Sequence, residues 1–254
     1  MNSTTRRENL IAYLQRHLSA TIQELAAYFS VSHMTIRRDL EKLSLREPIK
    51  IIHGGVIYQE AGQTEHYSMP QARIHMIDEK RRIALKAASL VEPEDIIIID
   101  TGSTGELIAS NLPTDRPLTV ICYALNIATM VSRRPNCSLI VSGGFYHERS
   151  MFFESSEGIE LIKRNRARKA FMTASGISSR LGVTCSHFFE STTKRSALES
   201  SLSGILVADS SKFGAVQTGH FADLKDFDII ITDTGLPDEF REEILAMGKE
   251  LYIE

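Results

Sequence analysis

The stretch Thr21-Ile22-Gln23-Glu24-Leu25-Ala26-Ala27-Tyr28-Phe29-Ser30-Val31-Ser32-His33-Met34-Thr35-Ile36-Arg37-Arg38-Asp39-Leu40 decides how the first part of the chain folds. Thr21 opens it, with Glu24 three residues on. That is a capping box, in which each side chain satisfies a free backbone N–H at a helix start. Ile22, Leu25, Ala26 and Phe29 then give an apolar stripe at helical spacing. Ser30-Val31-Ser32 makes a tight turn, and Ser32 is a good N-cap for a further helix. In that helix Ile36, Leu40 and Leu43 recur at i, i+4 and i+7 and share one face. Arg38, Lys42 and Met34 fall on the opposite side, and Arg37 on the flank.

Upstream, Leu10, Ile11, Leu14 and Leu18 predict a first helix. Downstream, Pro48 ends the helical region. Ile49-Lys50-Ile51-Ile52 and Val56-Ile57-Tyr58 are β-rich runs around the turn His53-Gly54-Gly55. Residues 1–58 therefore read as three helices and a hairpin, a winged helix-turn-helix. In such a module the second helix of the motif enters a DNA groove. Ser32, His33, Met34 and Thr35 stand at its N-terminal end, where base edges are met. Arg38 suits a guanine edge, Met34 a thymine methyl, and Arg37 a phosphate or Glu41 one turn on. Lys42 extends the cationic ridge. Thr21, Lys50 and His53 complete the expected DNA contacts.

The charge distribution agrees. The chain of 254 residues carries a net charge of −3. Residues 1–58 hold 8 Lys and Arg against 5 Asp and Glu, and the remainder holds 21 against 27. A small cationic module on an acidic body meets phosphates locally. Hydrophobic residues make up 43%, enough for a sizeable core and against extended disorder. No apolar run reaches the length of a membrane span, and no signal peptide is read at the start. Cys122, Cys137 and Cys185, odd in number and widely spaced, point to reduced thiols in a cytoplasm rather than to disulfides or a metal site. No cofactor is expected.

Residues 59–75 lack clear periodicity and read as a linker. A helix follows over 78–90. Strands at 96–99, 118–122, 138–141, 169–173, 204–208, 228–232 and 250–253 then alternate with helices at 104–111, 126–132, 157–164, 193–200 and 237–247. Several strands are continuous apolar runs, as in parallel sheets covered on both faces. Residues 76–254 therefore read as a doubly wound α/β domain for binding an effector and for oligomerisation.

In such sheets ligands bind beyond the carboxyl ends of the strands. Strand 96–99 runs into Asp100-Thr101-Gly102-Ser103-Thr104-Gly105 and then a helix. A turn of glycines and hydroxyls at a helix N-terminus suits an anion. Tyr123 and Asn126 follow the second strand, Gly143 the third, and Lys212 the fifth; Lys194 stands near the start of another helix. As bare features, a helix cap at Asn126 or a solvated cation at Lys194 is a comparable alternative.

Glu24-Leu25-Ala26, the string Val31 to Leu40 and His53-Gly54-Gly55 resemble the DeoR family of bacterial sugar-catabolism repressors. The similarity continues through Glu79-Lys80, Asp100-x-Gly-Ser-Thr, Leu125-Asn126, Ser142-Gly143-Gly144 and Asp209-x-Ser-Lys-Phe. It departs where Arg46-Glu47-Pro48 stands in place of the family's Gly-containing turn and Arg before the wing. The resemblance implies a C-terminal domain similar to ribose-5-phosphate isomerase that senses a phosphorylated sugar, whose binding releases operator DNA. It also implies that His33 and Met34 vary to select the operator. Asp100 and Asn126 would hold sugar hydroxyls and Lys212, with Lys194, the phosphate. The expected partners are double-stranded operator DNA, a sugar phosphate and further copies of the chain, with no membrane. The rivals are a sugar-phosphate isomerase using Asp100, Asp209 or Asp233 as base, a purely oligomerising body, and a winged helix for protein contacts.

Overall fold

In the computed structural model, residues 2–17, 19–52, 55–58 and 69–254 are described. The head holds α1 (Ser3–His17), β1 (Ser19–Thr21), α2 (Ile22–Phe29), α3 (His33–Leu43), β2 (Ile49–Ile52) and β3 (Gly55–Tyr58). Leu10 and Leu14 of α1, Ile22 and Leu25 of α2, Ile36 and Leu40 of α3, and Ile49 and Val56 of the hairpin close one apolar core. The capping box forms as expected: Glu24 N donates to Thr21 Oγ1 at 3.1 Å, and Thr21 N donates to the Glu24 carboxylate at 2.8 Å. Ser30 ends α2 in the left-handed region at φ 52°, and Val31 N then donates back to Ala26 O. That reversal sets α3 across α2.

The wing has three strands, in the order β1-β3-β2. Its antiparallel register runs from Ile49 opposite Tyr58 to Ile52 opposite Gly55. Leu18 and the expected turn residues His53 and Gly54 lie outside the described residues.

The stretch 59–75, expected as linker, contains α4 (Met69–Ile74), followed by α5 (Ile77–Ser89). The body then alternates β4 (Ile96–Ile99), α6 (Ser103–Asn111), β5 (Leu118–Cys122), α7 (Leu125–Val131) and β6 (Cys137–Val141). The hairpin β7 (Phe145–His147) and β8 (Phe152–Glu154) leads to α8 (Ser156–Arg164) and β9 (Ala167–Thr173). Next come β10 (Gly176–Ser178), β11 (Gly182–Cys185), α9 (Ser191–Glu199), β12 (Ser201–Val207) and β13 (Gly219–Ala222). The chain finishes with β14 (Ile229–Thr232), α10 (Asp238–Ala246) and β15 (Glu250–Ile253).

The large sheet is parallel throughout, in the order β15-β14-β12-β9-β4-β5-β6. Its two faces are covered by separate apolar clusters, which is why Ile97, Ile98 and Ile99 are all buried. The chain winds outward from β4 in one direction as far as β6 and in the other from β9 to β15. The order reverses between β4 and β9, so a crevice opens beyond their carboxyl ends. A second small sheet, β10-β11-β13, is antiparallel.

Candidate functional site

Two surfaces carry the residues singled out from the sequence. The first is α3. Ser32 caps it, with Thr35 N donating to Ser32 Oγ at 3.2 Å and the two hydroxyls 2.9 Å apart. His33, Met34, Arg37, Arg38 and Lys42 are exposed, and Thr35 is half-buried. Among the described residues, no hydrogen bond or ion pair engages Arg37, Arg38 or Lys42; Arg37 does not pair with Glu41. The remaining charged residue of the Arg37-Arg38-Asp39 run behaves oppositely. Asp39 is buried and takes Arg6 Nε at 2.6 Å, with Arg7 Nε at 3.8 Å. It ties α1 to α3 and leaves the arginines outside.

Thr21 and Lys50 are engaged rather than free. The Thr21 hydroxyl donates to the Glu24 carboxylate at 2.8 Å. Lys50 of β2 donates to Thr218 Oγ1 of the body at 2.7 Å. A second bridge joins the domains: Arg180, at the β10–β11 turn, donates to Glu24 Oε1 at 2.6 Å and to Tyr13 OH at 3.2 Å. His53 lies outside the described residues.

The second surface is the crevice beyond β4 and β9. Gly102 turns the chain there at φ 102°, a conformation favoured by glycine. Gly105 lets α6 approach the strand: a Cβ on it would stand 2.3 Å from Asp100 O. Gly102 gives α6 no side-chain cap, and Ser103 and Thr104 are buried in its first turn. Its first backbone N–H groups are thus available to an anion.

Beneath this loop lies a closed polar cluster. Asp100 Oδ1 accepts from Thr101 N and Tyr123 OH, each at 2.8 Å. Its Oδ2 accepts from Thr173 N at 2.8 Å, from Thr173 Oγ1 at 2.9 Å and from Lys194 Nζ. Lys194 is only 2% exposed. Burial works against its ammonium, but Asp100 and the neighbouring acidic groups outweigh that and hold its pKa above the ordinary lysine value. Burial and the Asp100 carboxylate drive the Tyr123 phenol well above its usual value. Glu190, at the entry to α9, is pushed up to about 7 by burial, against the pull of Lys194. Thr101 Oγ1 donates to Ser150 O at 2.9 Å.

Asn126 is buried beside the loop after β4, and Lys212 stands on the rim. Asn126 Nδ2 donates to Gly102 O and Glu106 Oε2, each at 3.2 Å. Lys212 is partly exposed, with its ammonium 3.8 Å from Asp209 Oδ2. Lys80 of α5 approaches the same oxygen at 3.8 Å, and burial lowers its pKa to about 8. Gly143, at φ 64°, faces open space.

The carboxylates weighed as an isomerase base all have polar or charged neighbours, although Asp209 Oδ2 accepts no hydrogen bond. Asp100 has both oxygens saturated, Asp233 accepts from Ser210 N and Gly235 N, and Asp209 faces two ammonium groups. Among the described residues, no cluster of three or more His, Cys, Asp or Glu side chains could hold a metal, and no helix is long and apolar enough to cross a membrane. The sequence reading missed Thr173, Glu190, Lys80 and Arg73 as parts of this site. The Glu79-Lys80 pair and the residue that ends β9 were the available signals for Lys80 and Thr173.

Comparison with known proteins covers both domains. Residues 6–61 match the DeoR-like helix-turn-helix domain and residues 75–234 the DeoR C-terminal sensor domain. The chain is 33% identical over 240 residues to the deoxyribose operon repressor of Escherichia coli K12, covering 93% of this chain and 94% of that protein. It is 31% identical over 228 residues to the regulator GolR of Listeria innocua (90% and 89% covered), and 30% identical over 230 to IolR of Bacillus subtilis (91% of each). Among solved structures, ribose-5-phosphate isomerase A of Methanocaldococcus jannaschii aligns at a TM-score of 0.42 and 15% identity, covering 54% of this chain and 55% of that one. The chain belongs to the DeoR family of transcription regulators, with a helix-turn-helix head ahead of a C-terminal sensor domain.

Proposed function

We propose that this protein represses a sugar or nucleoside catabolic operon in the cytoplasm, holding operator DNA through α3 and letting go when a phosphorylated sugar enters the crevice beyond β4 and β9. The observation that carries the reading is the outer face of α3, where Arg37, Arg38 and Lys42 are exposed and unpaired among the described residues. Unpaired cations on a capped helix are what a duplex groove and its phosphates take up. Arg38 reads a guanine edge, His33 and Met34 select the sequence, and Arg37 and Lys42 take phosphates. A homo-oligomer sets two such helices against paired half-sites.

In the crevice the α6 amides receive the phosphate, aided by Ser103, Thr104 and Lys212, and Asn126 takes a sugar hydroxyl. Asp100, Tyr123 and Lys194 were expected to touch the effector. Tyr123 and Lys194 each hydrogen-bond Asp100, and in this reading the three support the loop from beneath. The names of the relatives, among them a deoxyribose operon repressor, favour a sugar-linked role. The test is retardation of operator fragments by the purified protein, with pentose 5-phosphates, hexose 6-phosphates and hexitol phosphates added in turn. At least one should release the DNA. Retention of DNA with all of them at millimolar levels would refute release by a sugar phosphate.

A further inference from the structure

The connector between the domains reaches both rims of the crevice. Arg73, in α4, donates to Glu106 Oε2 through Nη2 at 2.9 Å and Nε at 3.3 Å. Glu106 lies in the first turn of α6, and the same oxygen accepts from Asn126 Nδ2. Asn126 is 2% exposed, and its Oδ1 has no hydrogen-bond partner. Its orientation is fixed, because both neighbours of its Nδ2, Gly102 O and the Glu106 carboxylate, require a donor. A buried acceptor without a donor is costly, so it marks a place where a ligand hydroxyl fits.

On the other rim, His75 Nε2 lies 3.3 Å from Ser211 Oγ. Lys80 Nζ donates to Ala72 O at 2.8 Å and to His75 O at 2.7 Å, while also facing Asp209. The α4 segment is therefore pinned to the first turn of α6 by Arg73 and to the loop after β12 by His75 and Lys80. Met69, at its start, follows the stretch 59–68 that leads from the wing.

We propose that Arg73 is a binding residue for the anionic group of the effector, and that its transfer from Glu106 to that group is what signals effector binding to the head. The proposal rests on the reading that a phosphorylated sugar occupies the α6 N-terminus. A phosphate there brings up to two negative charges close to Glu106. Two anions side by side repel, and the planar guanidinium binds the phosphate with two parallel hydrogen bonds. The resting Arg73–Glu106 pair is partly exposed, with Arg73 46% and Glu106 14% accessible, so it is readily exchanged. Arg73 leaves Glu106, and α4 shifts with it. Because the effector favours the shifted arrangement, it draws the equilibrium away from the one that holds DNA.

The test is calorimetry on the full-length protein with pentose 5-phosphates and hexose 6-phosphates, and with inorganic phosphate as the anion alone. Arg73→Ala should weaken uptake of the bound sugar phosphate by roughly 10-fold or more. Arg73→Lys should fall between, since a lysine keeps the charge and loses the fork. Glu106→Gln should act in the opposite sense and tighten uptake about 3-fold or more, because the competing charge is gone while the side chain can still hydrogen-bond. Equal uptake by the unmodified protein and Arg73→Ala would overturn the role of Arg73 alone. No uptake by the unmodified protein would overturn it together with the effector reading.

Discussion

Cations serve opposite ends in α3 and in the crevice. On α3, Arg37, Arg38 and Lys42 stand in solvent without protein partners among the described residues. Below the crevice, Lys194 and Lys80 are buried, and each faces a carboxylate and backbone carbonyls. A surface cation keeps its charge for a polyanion and acts through the release of counterions, so it affects binding and leaves folding nearly untouched. A buried cation is committed to its partner, so its loss falls on the fold. The type of residue does not separate the two roles; its surroundings do.

The hardest test of that contrast is Lys194→Met. It leaves Asp100 buried beside Glu190 without its cation and should cost the sensor domain about 3–5 kcal/mol in denaturant unfolding. Arg38→Ala should change the same measurement by less than about 0.5 kcal/mol. A Lys194 variant as stable as the unmodified protein would erase the distinction.

The next effect is one of pH. The folded Glu190 carboxyl titrates near 7, against its ordinary 4.5. Between those values the folded protein holds a proton that the unfolded chain has released. Stability should therefore fall as pH rises from about 4.5 to 7, by about 3 kcal/mol at most, and level off above. Glu190→Gln should flatten that slope in thermal melts taken across the window.

On the head the expected effects are on DNA. Arg38→Ala should weaken specific operator binding by about 1–3 kcal/mol and relax the preference at one base position, as read by retardation on variant operators. Lys42→Ala should lower the slope of log affinity against log salt by about 1, with little change of sequence preference. The smallest effect belongs to the bridge between the two regions. Arg180 and Glu24 are about a third exposed, so Arg180→Ala should cost the contact no more than about 1 kcal/mol. It would sharpen the contrast by loosening the head without unfolding either domain, an outcome that backbone relaxation rates of the two domains would report.

Much of the architecture follows from local pattern. Thr21 with Glu24, the Ser32 cap and the spacing of Ile36 and Leu40 announce the head, and the apolar runs announce all seven strands of the parallel sheet. What local pattern lacks is pairing at a distance. Arg6 and Asp39 are 33 residues apart, Asp100 and Thr173 are 73 apart, and Asp100 and Lys194 are 94 apart. Their loops suggest Asp100 and Lys194 as ligand contacts, and in the fold the two pair with each other. The adjacency of β4 and β9 sets Asp100 against Thr173, and the packing of α9 brings Lys194 to the same carboxylate. Strands β1, β10, β11 and β13 have three or four residues each, too few for alternation to register, and α4 is a six-residue helix beginning Met69-Pro70. The contacts of Arg73 and His75 were hidden for the same reason.

The most direct measurement is a structure of the full-length protein on a duplex that the protein itself selects from genomic fragments. The account predicts α3 lying in the major groove, with Arg38 against a base edge and Arg37 and Lys42 on phosphates. Density placing the duplex on another surface, with the outer face of α3 still in solvent, would contradict it.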